Sequence, residues 1–405
     1  MKRCNVAIIG HGFMGRVHSS AWIKAPLFFE LPVPPTLKVA CGRSPGRIEA
    51  FARRWGWEES ESDWRKVVER RDIDVVDIVT PHHLHHDIAL AAAAAGKHLF
   101  CEKPLALDAA QARAMYAAAQ RAGVVHYVNF NYRRCPAVAL ARRLIDEGKV
   151  GRVFHWRGAY LRSPMVDPNV PLGWHMRKET AGSGAQGSLN SHSIDLARYL
   201  VGEIRTVVAL NATFVTERHL PAGGVAIEPA VTRRRAGATD PAATGQPGVA
   251  GGTAATGRVD TEDAAFMVAE LEGGVLGSFE ATRFATGRKN AHLFEIYGSR
   301  GALMFDFERM NELQFYSGDD EEQAQGFRRI LATDPVHPYL QAWWPPGHLI
   351  GYEHSFVHAA ADFVRAIFRD RDIAPSFYDG LRCMQVIDAA LESAETGRKV
   401  VVEQG

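Results

Sequence analysis

The chain has few cysteines, almost no net charge and no long apolar run. Its five cysteines, Cys4, Cys41, Cys101, Cys135 and Cys383, are odd in number and follow no spacing pattern. That argues against a disulfide framework and points to a reducing compartment, the cytoplasm. A net charge of +1 gives no bulk attraction to nucleic acid or to a membrane surface. No apolar stretch approaches the length of a membrane span. The N-terminus runs straight into a strand and a glycine turn, which leaves no room for a signal peptide. What remains is 405 residues with a hydrophobic fraction of 46%, enough for two domains with a large core.

The first fifteen residues carry the strongest local pattern. Asn5-Val-Ala-Ile-Ile9 is an apolar run that leads into Gly10-His-Gly12-Phe13-Met14-Gly15 and then into a segment that can continue as a helix. Strand, glycine turn and helix N-terminus in that order form the dinucleotide-binding fingerprint. Gly10 permits the turn, Gly12 lets the backbone approach a pyrophosphate, and Gly15 lets the helix lie close to the strand. The free N–H groups of that helix face the phosphates.

Leu37–Cys41 reads as the second strand, and its end meets the adenosine ribose in such a fold. An acidic residue belongs there to bind the 2′-hydroxyl. The chain offers Gly42-Arg43-Ser44 instead. Arg43 can pair with the 2′-phosphate of NADP, stack on the adenine of NAD, or face solvent, and the sequence leaves all three open. Residues 74–79 form a buried strand that ends in Thr80-Pro81-His82-His83-Leu-His85-His86. Four histidines in five positions resemble a metal set. The helix that follows is nearly all alanine and adds no ligand. A turn beside the cofactor is the preferred reading, with His82 and His85 as its neighbours and His83 and His86 toward the surface; no metal is expected. The next strand, 96–101, ends in Glu102-Lys103-Pro104. A lysine aimed from the carboxyl end of a strand into the crevice loses basicity by burial, which suits proton transfer. Residues 1–130 thus alternate strand and helix as a doubly wound parallel sheet.

Gly10-x-Gly12-x-x-Gly15, Thr80-Pro81 with a histidine four residues further on, and Glu102-Lys103-Pro104 occur together in this order. In this combination the chain resembles the Gfo/Idh/MocA family of NAD(P)-dependent oxidoreductases. Phe130-Asn131-Tyr132-Arg133-Arg134, Pro171-Leu-Gly-Trp174, Ala181-Gly-Ser-Gly184, residues 194–200 and 278–283, and His337-Pro338 extend the resemblance along essentially the whole chain, toward a branch of sugar dehydrogenases. The resemblance implies an N-terminal Rossmann domain (1–130). An α+β domain (131–405) would follow, with a large, mostly antiparallel open sheet that serves substrate binding and oligomerisation. It implies hydride transfer between a sugar hydroxyl carbon and the nicotinamide of NAD, with NADP also open. Lys103 matches the family lysine and His192 the histidine of an Asp-x-x-x-His pair; the aspartate position is Ser188. Without that charge His192 holds a proton less readily, and Asn190 and Tyr160 are the candidates to position it instead.

Together these readings assign Lys103 and His192 to catalysis. Gly10, Gly12, Phe13, Met14, Gly15, Arg43, Ser44, Thr80, Pro81, His82, His85, Glu102, Lys103 and Asn131 go to the cofactor. Lys103, Tyr132, Tyr160, Arg162, Trp174, His175, Lys178, Ser188, Asn190 and His192 go to the substrate. The loop from Arg162 to Thr180 reads either as a solvated basic loop or as a lid whose tryptophan faces a sugar ring and whose cations hold an acidic substituent. Residues 221–257, rich in Gly, Ala, Thr and Pro, read as a long mobile loop. Three functions follow: a sugar dehydrogenase, an NAD-dependent redox glycosidase acting on an acidic glycoside, and a cofactor-binding sensor. A dimer or tetramer of this chain is expected, and no nucleic-acid or membrane partner.

Overall fold

The computed structural model describes residues 3–221, 255–369 and 373–403. The first layer is built from β1 (Asn5–Ile9), α1 (Phe13–Phe28), β2 (Thr36–Cys41), α2 (Pro45–Trp55), β3 (Glu59–Glu61), α3 (Trp64–Glu69), β4 (Val75–Ile78), α4 (His85–Ala94), β5 (His98–Cys101), α5 (Ala109–Ala122) and β6 (His126–Val128). Its six strands run in the order β3-β2-β1-β4-β5-β6, and all pair in parallel. Strand periodicity sorts β1 between two faces. Val6 and Ile8 pack toward α1 and α2, and Ala7 and Ile9 toward α4 and α5. Both faces are covered, which is why these strands read as continuous apolar runs rather than alternating ones.

A short turn and the helix α6 (Pro136–Asp146) lead into the second layer. It contains β7 (Val153–Leu161), α7 (Lys178–Ala181), α8 (Ser191–Leu200), β8 (Ile204–Ala212), β9 (Glu217–His219), β10 (Thr256–Arg258), β11 (Ala264–Leu271), β12 (Leu276–Thr282), β13 (Ala291–Gly298), β14 (Gly301–Asp306), β15 (Glu312–Ser317), β16 (Arg328–Leu331), α9 (His354–Arg369), α10 (Phe377–Thr396) and β17 (Val400–Val401). Nine strands order as β16-β15-β14-β13-β7-β12-β11-β8-β17, and β9 and β10 form a separate pair. Only β7 and β12 pair in parallel; every other contact in the large sheet is antiparallel.

The C-terminal helices tie the layers together. Phe356, Val357, Phe363 and Val364 of α9 enter the core beside Trp22, Phe100 and Tyr127 of the first layer. α10 lies against both α5 and β8, and its Leu381, Met384 and Ile387 join one continuous core that reaches from Leu99 to Trp156 and Phe294. Sequence periodicity gave no sign of α6, whose residues look like part of the crossing, nor of the short edge strands β3, β9, β10, β16 and β17. Nearly all of the segment expected to be a loop at 221–257 falls outside the described residues; its last two positions belong to β10.

The core of the large sheet is aromatic. Phe294 is 1% exposed and stacks on Trp156 at 5.4 Å and on Phe305 at 5.3 Å. Phe294→Ala should therefore cost about 3–5 kcal/mol, read as a lower urea midpoint with an unchanged slope.

Candidate active site

The glycine turn is shaped by contact as much as by conformation. Gly10 has φ 119°, and a Cβ there would lie 2.6 Å from the Val79 carbonyl oxygen. A Cβ on Gly15 would lie 2.7 Å from the Gly10 oxygen. Gly12 caps α1 with no side-chain hydrogen bond, so the first N–H groups of a sixteen-residue helix are left for a ligand. These features fit a dinucleotide pyrophosphate. Phe13 is half exposed and stacks 6.3 Å from Tyr352; Met14 beside it is partly buried.

At the end of β2, Arg43 is exposed and Ser44 caps α2 without a side-chain bond. A Cβ on Gly42 would overlap His11 Nδ1, so a side chain there would require the His11 ring to move. His11, not a side chain at position 42, fills that corner.

The histidine turn does not converge on one point. His82 Nδ1 lies 3.1 Å from the Ala181 carbonyl oxygen, and its ring meets Trp174 edge-on at 4.7 Å. This links the Thr80–Pro81 turn to the start of the second layer. His85 is fully buried, and its ring nitrogens lie 3.1 Å and 3.0 Å from the carbonyl oxygens of Pro104 and Thr80. His85 is therefore a brace behind Lys103-Pro104, contrary to its expected place beside the cofactor. His83 and His86 are partly exposed.

Lys103 occupies the centre. Its Nζ donates to the Ser188 carbonyl oxygen at 2.9 Å. Burial, and the cations of Arg162 and Arg283, push its pKa down to about 8 against the opposing pull of Glu102. Ser188 lies in a π-helical turn, Gln186–Asn190, that opens into α8. Glu262 clamps that turn: its carboxylate accepts from the N–H groups of Gly184 and Gln186, both at 2.8 Å. A Cβ on Gly184 would run into the Glu262 backbone. Where the family pattern has a carboxylate, Ser188 Oγ donates to the Gly184 oxygen at 2.6 Å and accepts from Arg283 at 3.2 Å.

His192 follows one turn later. Its ring stacks on Tyr132 at 4.4 Å, and its Nδ1 is buried without a partner. Burial, then the charges of Lys103 and its neighbours, hold its pKa well below the ordinary value, so the ring is neutral. Neither expected substitute for the aspartate reaches it. Asn190 donates instead to Gln186 at 2.7 Å. Tyr160 donates to Asn290 and shares a 2.9 Å hydrogen bond with Tyr132. Asn131 donates to Ser355 of α9.

Arg162 and His175 lie on the same side as Lys103. Both ring nitrogens of the partly buried His175 are enclosed and unpartnered, and desolvation with Arg283, Arg218 and Arg162 lowers its pKa to about 3. Lys178 does not join them. Its ammonium is exposed and reaches toward Glu395 of α10, while its backbone N–H donates to Asp260.

Two residues escape the sequence reading. His292 of β13 is the cross-strand partner of Tyr160, stacks on it at 4.6 Å and lies 3.2 Å from Ser193 Oγ. The alternation of β13 points it inward, but only the register reveals its neighbour. Arg283 is the other: it stands at the end of a strand, where a cation ordinarily faces water.

This geometry defines an NAD-binding oxidoreductase, and the chain belongs to the Gfo/Idh/MocA family. Residues 4–130 match the family model described as "Oxidoreductase family, NAD-binding Rossmann fold", and residues 138–304 match the GFO/IDH/MocA C-terminal domain. Levoglucosan dehydrogenase of Pseudarthrobacter phenanthrenivorans is 44% identical over 100% of this chain and 99% of its own. An oxidoreductase domain protein from Kribbella flavida aligns with a TM-score of 0.90 at 45% identity, covering 100% of both chains. A levoglucosan dehydrogenase in complex with NADH and L-sorbose aligns with a TM-score of 0.90 at 42% identity, again covering 100% of both.

A carboxylate restored at position 188 would face both Arg283 and Lys103 and would favour the ammonium. Ser188→Asp should move the Lys103 titration, followed by NMR of ¹³C-labelled lysines, upward by about one pH unit. A titration unchanged by the substitution would separate Ser188 from Lys103.

Proposed function

We propose that the protein is an NAD-dependent dehydrogenase that oxidises a hydroxyl of a sugar or sugar derivative, with Lys103 as the proton acceptor. The reading rests on a lysine held at about 8 by burial, hydrogen-bonded to the Ser188 carbonyl, in the same chamber as His192. NAD, when bound, supplies the hydride acceptor. Lys103, neutral above its depressed pKa, takes the hydroxyl proton as the carbon–hydrogen bond breaks. His192 is neutral and stacked, so it orients the hydroxyl by a hydrogen bond rather than carrying charge. Trp174, partly exposed, offers a flat apolar face to the ring. Arg162 stands where an acidic substituent of the sugar would meet a cation. Similarity to sugar dehydrogenases supports the substrate class, and five free, buried cysteines support a reducing compartment, the cytoplasm.

The enzyme is incubated with NAD and a panel of neutral sugars, anionic sugars and glycosides, while NADH absorbance and sugar release are both followed. NADH accumulation is expected, faster as pH rises through about 8. Lys103→Ala and His192→Ala should each lower turnover on the order of a hundredfold or more. Arg162→Ala should raise KM for anionic sugars alone. Glycoside cleavage that needs NAD but accumulates no NADH would replace dehydrogenation by redox-neutral cleavage.

The same proposal includes self-association through the large sheet. Val208, Leu210, Phe266, Val268 and Leu276 are 40–71% exposed on its uncovered face, an apolar patch of the kind that marks an interface. Sedimentation should give a dimer or tetramer, and Val268→Glu should shift it toward monomer; a wild-type monomer would refute this part.

A further inference from the structure

Behind Lys103 lies a second cluster of charged groups that faces no substrate. His18, one turn into α1 after the glycine turn, is 1% exposed. Its Nδ1 lies 2.9 Å and 3.1 Å from the two carboxylate oxygens of Asp77 on β4. Its Nε2 lies 2.9 Å from Glu102 Oε1 at the end of β5. Trp22 donates to Asp77 at 2.7 Å, and Asn129 donates to Glu102 Oε1 at 2.7 Å. The other Glu102 oxygen accepts from the backbone N–H of Lys103 at 3.2 Å. Asp77 is 0% and Glu102 5% exposed.

A neutral imidazole has one donor and one acceptor nitrogen. With a carboxylate at each nitrogen, a neutral ring would turn one lone pair against an anion. The imidazolium instead donates to both. Burial alone would favour the neutral ring, but Asp77 and Glu102 outweigh it and hold the His18 pKa up at about 10. Burial likewise pulls Glu102 up, and His18 more than reverses it, so its carboxylate stays ionised. The Asn129 amide nitrogen also lies 3.1 Å from His18 Nε2, while Phe100 and Phe356 pack edge-on or tilted against the ring.

We propose that His18 is a positioning residue: clamped between Asp77 and Glu102, it fixes the Glu102 carboxylate and so sets the placement and charge balance of Lys103. The proposal rests on the reading of Lys103 as proton acceptor. His18 belongs to the helix whose N-terminus is shaped for the pyrophosphate, while Glu102 precedes the lysine. The clamp therefore connects the cofactor cradle to the proton acceptor through two hydrogen bonds. The charges facing Lys103 are Glu102 from its own turn, Arg162 after β7 and Arg283 after β12; the neutral rings of His82, His192 and His292 complete its surroundings.

Charge balance gives the test a sign. The Asp77–His18–Glu102 triad carries one net negative charge. His18→Gln removes the cation and favours the lysine ammonium, so the acid limb of the kcat/KM profile should move up by about one pH unit. Asp77→Asn removes an anion, so the limb should move down. In the double variant the net charge returns and the limb should return with it. Turnover should fall about tenfold or more in each single variant, with NAD affinity, measured by fluorescence titration, little changed. General damage to the fold would move both single variants the same way, and that result, or a limb and a Lys103 NMR titration that both stay at the wild-type pH, would overturn the proposal. Should His18→Gln fail to fold, Asp77→Asn alone carries the test: a limb and a Lys103 NMR titration that both fail to move down overturn it. The same variants are read by NMR titration of ¹³C-labelled lysine, which reports Lys103 without turnover. If Lys103→Ala keeps the wild-type limb while the NMR shifts appear, the reading of Lys103 has failed and the clamp stands.

Discussion

A lysine ammonium removed from water is the constraint on which this site depends. Desolvation disfavours the charged form, and the nearby cations of Arg162 and Arg283 disfavour it further. Glu102 alone would oppose them, yet Glu102 is itself buried. A buried carboxylate survives only when its hydrogen bonds are filled. His18, Asn129 and the Lys103 N–H fill them. The depressed but not abolished basicity of Lys103 is the balance of these groups, and each comes from a different element of the fold.

The two layers divide the work. The parallel sheet supplies the glycine turn, the histidine brace and the lysine, all at the carboxyl ends of strands where such sheets open a crevice. The mixed sheet supplies the stacked pair Tyr160 on His292, and the turn after β6 and α8 add Tyr132 on His192. Between them runs the π-helical turn at Ser188. A π turn widens the helix and leaves a carbonyl facing outward, and the Ser188 carbonyl is the one that receives Lys103. Glu262 holds the turn in that shape through two backbone N–H groups.

How much of this the sequence discloses follows from the range of each interaction. The first layer is legible because its signals are local: glycines at a turn, apolar runs for buried strands, and a motif at each strand end. Lys103 and His192 are legible through the family pattern. His85 misleads because spacing places it beside His82, whereas the first turn of α4 rotates it into the core. Lys178 misleads because a cation in a basic loop carries no mark of direction. His292 and Arg283 become visible only through strand register, a long-range property that depends on which strands neighbour each other. The missing acid at Gly42 is visible as an absence, but the His11 ring that crowds the position is visible only in the tertiary contact.

The substitution at Ser188 reorganises the site rather than merely weakening it. An aspartate there would face Arg283 and form a buried ion pair. With serine, Arg283 keeps hydrogen bonds only to neutral groups, the His175 carbonyl and Ser188 Oγ. Glu262 and Asp263 offset its charge in part, and it still acts on Lys103. The effect favours a neutral lysine, and hence a proton acceptor, without help from a charged histidine. His192 loses the anion that would stabilise an imidazolium and sits among Lys103, Arg162 and His292, all of which disfavour its protonation. Arg283 thus acts on Lys103 alongside Arg162, with no anion at position 188 between them. A neutral His192 can still direct a hydroxyl, because a hydrogen bond needs a lone pair or an N–H and not a charge.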